Sequence, residues 1–329
     1  MRIIKHSVSS CPLLKAFVIS RGSRTAAEVI QLMIEQDGKQ GLAECVPYGR
    51  YGETTDSVIA QIDSVAEALA QGLSSTELQT RLPAGAARNV IDCALWDLQA
   101  KLDRISVGAL TGLGDPGTLI SAQTISIGSV EEMAAEAKMF SNYPLLKAKL
   151  DAEDIIPRVK AIHDSAPSAG IIIDANEAWT LALLNQHWSE LSALGVVLIE
   201  QPLATDADHD LINYQGSLPI CADESCHTSA DISQLANRYQ AINIKLDKTG
   251  GLTEAIATLA AAQKQQLQVM VGCMVGTSLA MAPATLLAQH ADVVDLDGPA
   301  LLAEDVAHGF HFRRGEMSPL SAQLWGGKR

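Results

Sequence analysis

The feature that most constrains this chain is a rhythm. From residue 120 onward, short apolar runs recur at 120–127, 145–150, 170–173, 196–199, 218–222, 241–244, 268–271 and 293–294. Stretches of helical character lie between them, such as the Ala- and Leu-rich segment 252–264. Strand candidates alternating with helices, one unit per roughly 25 residues, are the pattern of a (β/α) barrel. An open doubly wound sheet is the structural competitor. No glycine-rich phosphate fingerprint follows the first strand of the region, which removes that fold's commonest use.

Residues 1–115 have a different texture. A strand-like segment at 29–35 runs into the turn Asp37-Gly38, and apolar residues at three- and four-residue steps mark helices over 57–70 and 86–102. The turn-rich stretch 112–117 is the expected boundary between the two parts. A chain of 329 residues is about right for a barrel with a smaller companion.

What stands at the end of each run carries the chemistry. The second run closes on Lys147-Ala148-Lys149, with both lysines on one face because strand side chains alternate. The next runs close on Asp174-Ala175-Asn176, Glu200-Gln201-Pro202, Asp223-Glu224-Ser225 and Lys245-Leu246-Asp247-Lys248. The steps Lys149→Asp174→Glu200→Asp223→Lys245 are 25, 26, 23 and 22 residues, each one βα unit. Five successive strands therefore offer an ionisable group at the barrel face where active sites are built. Any one of them alone reads as a solvated strand end; the ordered series is the signal.

Three carboxylates converging on one point repel, and a bound cation removes that cost. An all-oxygen set suits Mg2+, with Mn2+ as substitute, better than zinc. Asp174, Glu200 and Asp223 are thus the expected metal ligands, and Lys149 and Lys245 the expected catalytic pair. Removing the proton beside a carboxylate makes an enediolate, which such a cation would stabilise. One lysine would take the proton and the other return it to the opposite face. Near a divalent cation and another ammonium, a lysine pKa is expected to fall toward the working pH.

Charge narrows the partners. A formal net charge of −14 argues against nucleic acid or an anionic membrane surface, and an anionic substrate would need locally placed positive charge. No stretch of about 20 apolar residues is present, and residues 1–20 read as a first strand rather than a signal peptide. The six cysteines are scattered, as in a cytoplasmic protein with reduced thiols. Cys221, Cys226, His227 and Cys273 raise a zinc reading, but Cys-x4-Cys-His lacks a second pair. Trp96 is expected in the core of its helix.

On these motifs the chain resembles the enolase superfamily, in its muconate-lactonising subgroup, over nearly its whole length. More narrowly, it resembles the dipeptide epimerases: residues 17–24 look like that family's mobile loop, 47–53 like its second cap loop, and Asp295-Leu296-Asp297-Gly298-Pro299 like its acidic last-strand motif. The resemblance implies an α/β fold, a modified (β/α)7β barrel over residues 116–308. It also implies an α+β cap over 1–115, joined by about 309–329. The implied reaction is epimerisation of L-Ala-D/L-Glu at the glutamyl α-carbon, in murein peptide recycling.

The implied substrate contacts are Arg24, Thr124, Lys147, Asp295 and Asp297. Two aspartates suit a dipeptide's free ammonium and an arginine fork suits a side-chain carboxylate. The Gly and Ser content of residues 20–23 suits a closing loop. The expected partner is a small dipeptide, and the reading is compatible with a homo-oligomer. The alternatives are another reaction on the same apparatus (N-acylamino acid racemase, cycloisomerase or o-succinylbenzoate synthase) or a non-catalytic metal-binding barrel.

Overall fold

A computed structural model describes residues 1–327. The chain opens with an antiparallel sheet of β1 (Ile3–Ile19), β2 (Gly22–Gln36) and β3 (Lys39–Cys45), in that order. The expected Asp37-Gly38 turn joins β2 to β3, with φ of 51° and 71° as a tight hairpin turn requires. Helices α1 (Thr55–Ser64), α2 (Ala66–Ala70), α3 (Ser75–Arg81) and α4 (Ala86–Asp103) follow. The single helix expected over 57–70 is two, interrupted at Val65. Thr54 and Ser74 start α1 and α3 with reciprocal capping boxes.

β4 (Leu119–Ile120) pairs with a hairpin of β13 (Phe312–Arg313) and β14 (Glu316–Met317), drawing the chain's end under the barrel. The barrel strands are β5 (Gln123–Ile125), β6 (Leu145–Lys149), β7 (Gly170–Asp174), β8 (Val196–Glu200), β9 (Ile220–Ala222), β10 (Ala241–Ile244), β11 (Gln268–Gly272) and β12 (Val293–Asp295). They form one parallel sheet in strict sequence order. A bond from Ala122 N–H to the Val294 carbonyl (2.8 Å) and one from Leu296 N–H to Ser121 Oγ (2.9 Å) close the seam. All eight expected strands are present. Each of the first seven is followed by helix or 3-10 turn; after β12 comes only the turn Gly298–Leu301. This is a (β/α)7β barrel.

The interior is layered. Ala122, Ile172, Leu198, Cys221, Ala241 and Met270 fill the lower layer. Polar groups lie above it, since residues two apart share a face. Gly272 makes room for one of them: a Cβ there would sit 2.6 Å from Asn243 Oδ1. Helix α4 docks the cap on the barrel through polar bonds. The Arg88 guanidinium donates to the carbonyls of Gly250 (3.1 Å) and Thr249 (2.6 Å), and Asp92 accepts from Thr253 N–H and Oγ1. Gly251, at φ 110°, permits this approach; a Cβ would lie 2.5 Å from Asp92 Cβ. Trp96 is a joint rather than simple core, donating from Nε1 to Thr253 Oγ1 (2.9 Å). At the far end Trp325 Nε1 donates to the Cys93 carbonyl and Gly326 N–H to Asp97 Oδ1, tying the C-terminal residues to α4.

Candidate active site

The strand ends converge as the spacing requires. Lys149, Asp174 and Glu200 are the last residues of β6, β7 and β8, and sit level in the sheet register. Asp223 and Lys245 come one residue after β9 and β10. Asp174, Glu200 and Asp223 are buried, with carboxylate oxygens within 4.8 Å of one another. Lys149 Nζ lies 2.5 Å from Asp174 Oδ2, and Lys245 Nζ 2.6 Å from Asp223 Oδ2. The two ammoniums thus hang on opposite flanks of the carboxylate group.

Neighbours fix each carboxylate. Asn176 N–H donates to Asp174 Oδ1 (3.0 Å), and Asn243 Nδ2 to Glu200 Oε1 (2.8 Å). Gln201 holds the Asp223 N–H through its Oε1 (2.8 Å). Asn176, Glu177 and Gln201 have positive φ (44°, 70° and 36°), backbone strain concentrated at the barrel mouth. Lys248, given no role by the sequence, is fully buried and donates to Asp223 Oδ1 (2.6 Å) and the Asn243 carbonyl (3.0 Å). It stands in the strand-end motif 245–248, but its contact depends on the short helix Leu246–Thr249 turning it back under Asp223.

The electrostatics are polarised. Burial, then Asp174 and Asp223, push Glu200 up to about 7. Burial opposes ionisation of Asp223 too, yet Lys245 and Lys248 hold it well below the usual range. Burial would lower Lys245, but Asp223 and Glu200 carry it well above its ordinary value. The expected fall of the lysine is therefore not produced by the protein's own groups. That expectation counted a cation whose charge would offset the carboxylates; their own field pulls the other way.

Three buried carboxylates, whose Glu200 Oε2 meets only the Lys147 ammonium (2.6 Å), offer an all-oxygen donor set that fits a hard divalent cation. Among the described residues this is the only such group, and the cysteines and His227 form none. Cys221 belongs to the apolar layer below.

The expected substrate contacts divide. Arg24 lines a cavity of about 310 Å3 over the cage, together with Phe17, Tyr51, Lys149, Asp223, Lys245 and Met274. Its guanidinium lies 5.0 Å above the Tyr48 ring. Lys147 instead sits beneath the cavity, its Nζ 2.6 Å from Glu200 Oε2, 2.7 Å from Asp295 Oδ2 and 3.1 Å from Asp174 Oδ2. Asp295 Oδ1 is buried without a partner. Asp297 Oδ2 accepts the Thr124 N–H at 2.6 Å, and burial, then Asp295, push its carboxyl up to about 7. Residues 17–19 and 22–24 pair as the ends of β1 and β2, and Ser20-Arg21 form the two-residue turn between them.

Residues 4–134 match the mandelate racemase/muconate lactonizing enzyme N-terminal domain, and residues 130–322 match the enolase C-terminal domain-like family. The chain belongs to the mandelate racemase/muconate lactonizing enzyme family of the enolase superfamily. Within that class it is similar to the L-Ala-D/L-Glu epimerase of Escherichia coli K12, at 47% identity over 96% of this chain and 99% of that protein. It is equally similar, at 47% identity over 91% of this chain and 95% of the other, to the N-acetyl-D-glutamate racemase of Pseudoalteromonas sp. Its fold superposes with TM-score 0.97 and 43% identity, covering 99% and 100% of the two chains, on an Agrobacterium tumefaciens enolase family member with homology to dipeptide epimerases, solved with sodium and L-Ala-L-Glu.

Proposed function

We propose that this chain epimerises L-Ala-D/L-Glu by moving the α-proton of the glutamyl residue between Lys149 and Lys245. The protein is an isomerase acting on amino-acid derivatives, as its curated relatives are. The observation that carries the reading is the placement of the two ammoniums, one on Asp174 and one on Asp223, across the carboxylates of one cage. A base on each face of one carbon is what inversion requires.

Asp174, Glu200 and Asp223 would hold Mg2+, or Mn2+ in its place. Such a cation supplies positive charge toward a carboxylate whose charge grows as the α-proton leaves. The chain's residues do the rest. Lys149 or Lys245 accepts the proton from its own face, and the partner returns one from the other. Arg24, with no hydrogen bond or ion pair among the described residues, is free to take the glutamate side-chain carboxylate. Asp297 and the unpartnered Asp295 Oδ1 suit the ammonium of the alanyl end, with Lys147 and Thr124 setting their positions. Phe17 packs near Lys149, its ring 5.9 Å from Nζ, and limits water there.

The same reading takes residues 1–115 with 309–329 as cap and 116–308 as catalytic barrel, and assigns the reaction to murein peptide recycling in the cytoplasm. No helix among the described residues is long and apolar enough to cross a membrane. Incubation with L-Ala-L-Glu and Mg2+ in D2O, read by NMR at the glutamyl α-proton, tests it. Loss of that signal with appearance of L-Ala-D-Glu is expected; intact dipeptide with bound metal would refute it.

A second reading is racemisation of N-acetylglutamate, favoured by the equal similarity to the Pseudoalteromonas racemase. The two substrates share the glutamyl end and differ in the charge of the other, so the ratio of kcat/KM for the two separates them.

A further inference from the structure

The two arginines near the turn of the β1–β2 hairpin have opposite situations. Arg24 has no polar partner among the described residues. Arg21 is engaged through both terminal nitrogens: Nη2 lies 2.7 Å from Glu224 Oε1 and donates to the Tyr48 hydroxyl (3.2 Å), while Nη1 donates to the Asn176 carbonyl (2.9 Å) and Glu177 Oε2 (3.2 Å). Glu224 and Asn176 belong to the loops after β9 and β7, so one guanidinium bridges two barrel loops to the cap. Ser20 Oγ donates to the Asn176 carbonyl (3.2 Å), and Ile127 N–H holds the hairpin as well, donating to the Val18 carbonyl (3.1 Å). Arg50 grips Glu177 from the second cap loop with two bonds of 2.8 Å.

What the hairpin carries gives the bridge a purpose. Phe17 and Arg24 are cross-strand partners in its register. Phe17 stands beside Lys149 and Arg24 stacks on Tyr48, so the place of both side chains in the cavity wall depends on where the hairpin rests. A guanidinium whose two terminal nitrogens are engaged by two carboxylates, a carbonyl and a phenol is held in place rather than turned toward a substrate; its fork suits a fixed, planar junction.

We propose that Arg21 is a positioning residue, a latch that holds the β1–β2 hairpin to the barrel mouth and thereby sets Phe17 over Lys149 and Arg24 in the cavity wall. The substrate named in its test rests on the epimerase reading above; the latch itself does not. A protein that must hold its hairpin closed to bind substrate loses apparent affinity in proportion to the fraction of time it is open.

The test compares wild type with Arg21→Ala and Arg21→Lys by amide hydrogen exchange and by kinetics on L-Ala-L-Glu. In Arg21→Ala, exchange of residues 17–25 should rise at least about tenfold while β7 exchanges as before. KM should rise about tenfold with kcat within about threefold, and Arg21→Lys should recover part of both effects. Unchanged exchange in Arg21→Ala would overturn the latch whatever the activity, and a kcat loss with unchanged exchange would instead make Arg21 a direct substrate contact. Faster exchange with unaltered kinetics would overturn the positioning role. If wild type leaves the dipeptide untouched, the epimerase reading fails, and exchange alone still decides the latch.

Discussion

Asp297 shows how much a single residue's surroundings decide. Its carboxyl is buried, beside Asp295 and against the Thr124 N–H, and is raised to about 7. A cationic substrate end repays that burial; a neutral acetyl does not. Asp297→Asn keeps an oxygen for the Thr124 N–H and removes the charge. Turnover of L-Ala-L-Glu should then fall by about a hundredfold, a loss of the size expected for a buried charge pair, while N-acetylglutamate turnover changes by less than about fivefold. Equal losses on both would remove Asp297 from ammonium recognition. The acidic strand was legible from its sequence pattern. The Lys147 ion pairs beneath it were not, because a lysine two residues before a strand end gives no sign of which carboxylates the barrel will bring to it. Asn243 and Lys248 stand in the motif at 243–248, but their bonds to Glu200 and Asp223 were hidden for the same reason.

At the scale of elements, the strand ends were readable because period-two alternation and a constant unit length both survive in the sequence. The contacts of the hairpin tip were not legible: its Gly and Ser content says nothing of the bonds by which Ser20 and Arg21 reach barrel loops more than 150 residues away in sequence. The docking of α4 on the segment after β10 was equally invisible, resting on contacts between distant elements. One of them titrates. Asp247 accepts from Val46 N–H (3.1 Å) and Asn89 Nδ2 (2.8 Å), and burial raises it from 3.8 to about 7. The folded chain then holds a proton that the unfolded chain loses between those values, so this group's contribution to stability is present below about pH 4 and is lost as pH rises through 7. Asp247→Asn retains the acceptor without the charge. Its Tm should exceed that of wild type by about 3 °C at pH 8, with the gap closing toward pH 4.5. A gap that does not vary with pH would contradict this.

The whole molecule places its cage between two halves. The barrel supplies carboxylates and lysines from consecutive strands, and the cap supplies a hairpin whose tip reaches the barrel mouth. Fold and cage follow from the order of residues along the chain; the closed arrangement follows only from how the halves meet. In the proposed reaction Lys149 and Lys245 each serve one face of one carbon. The most direct measurement is α-proton exchange in D2O with Lys149→Ala and Lys245→Ala, each given L-Ala-L-Glu and L-Ala-D-Glu separately. Each variant should exchange the proton of one epimer only, the two should choose opposite epimers, and neither should interconvert them above about a thousandth of the wild-type rate. Interconversion by either variant, or exchange of both epimers by one lysine, would contradict the account.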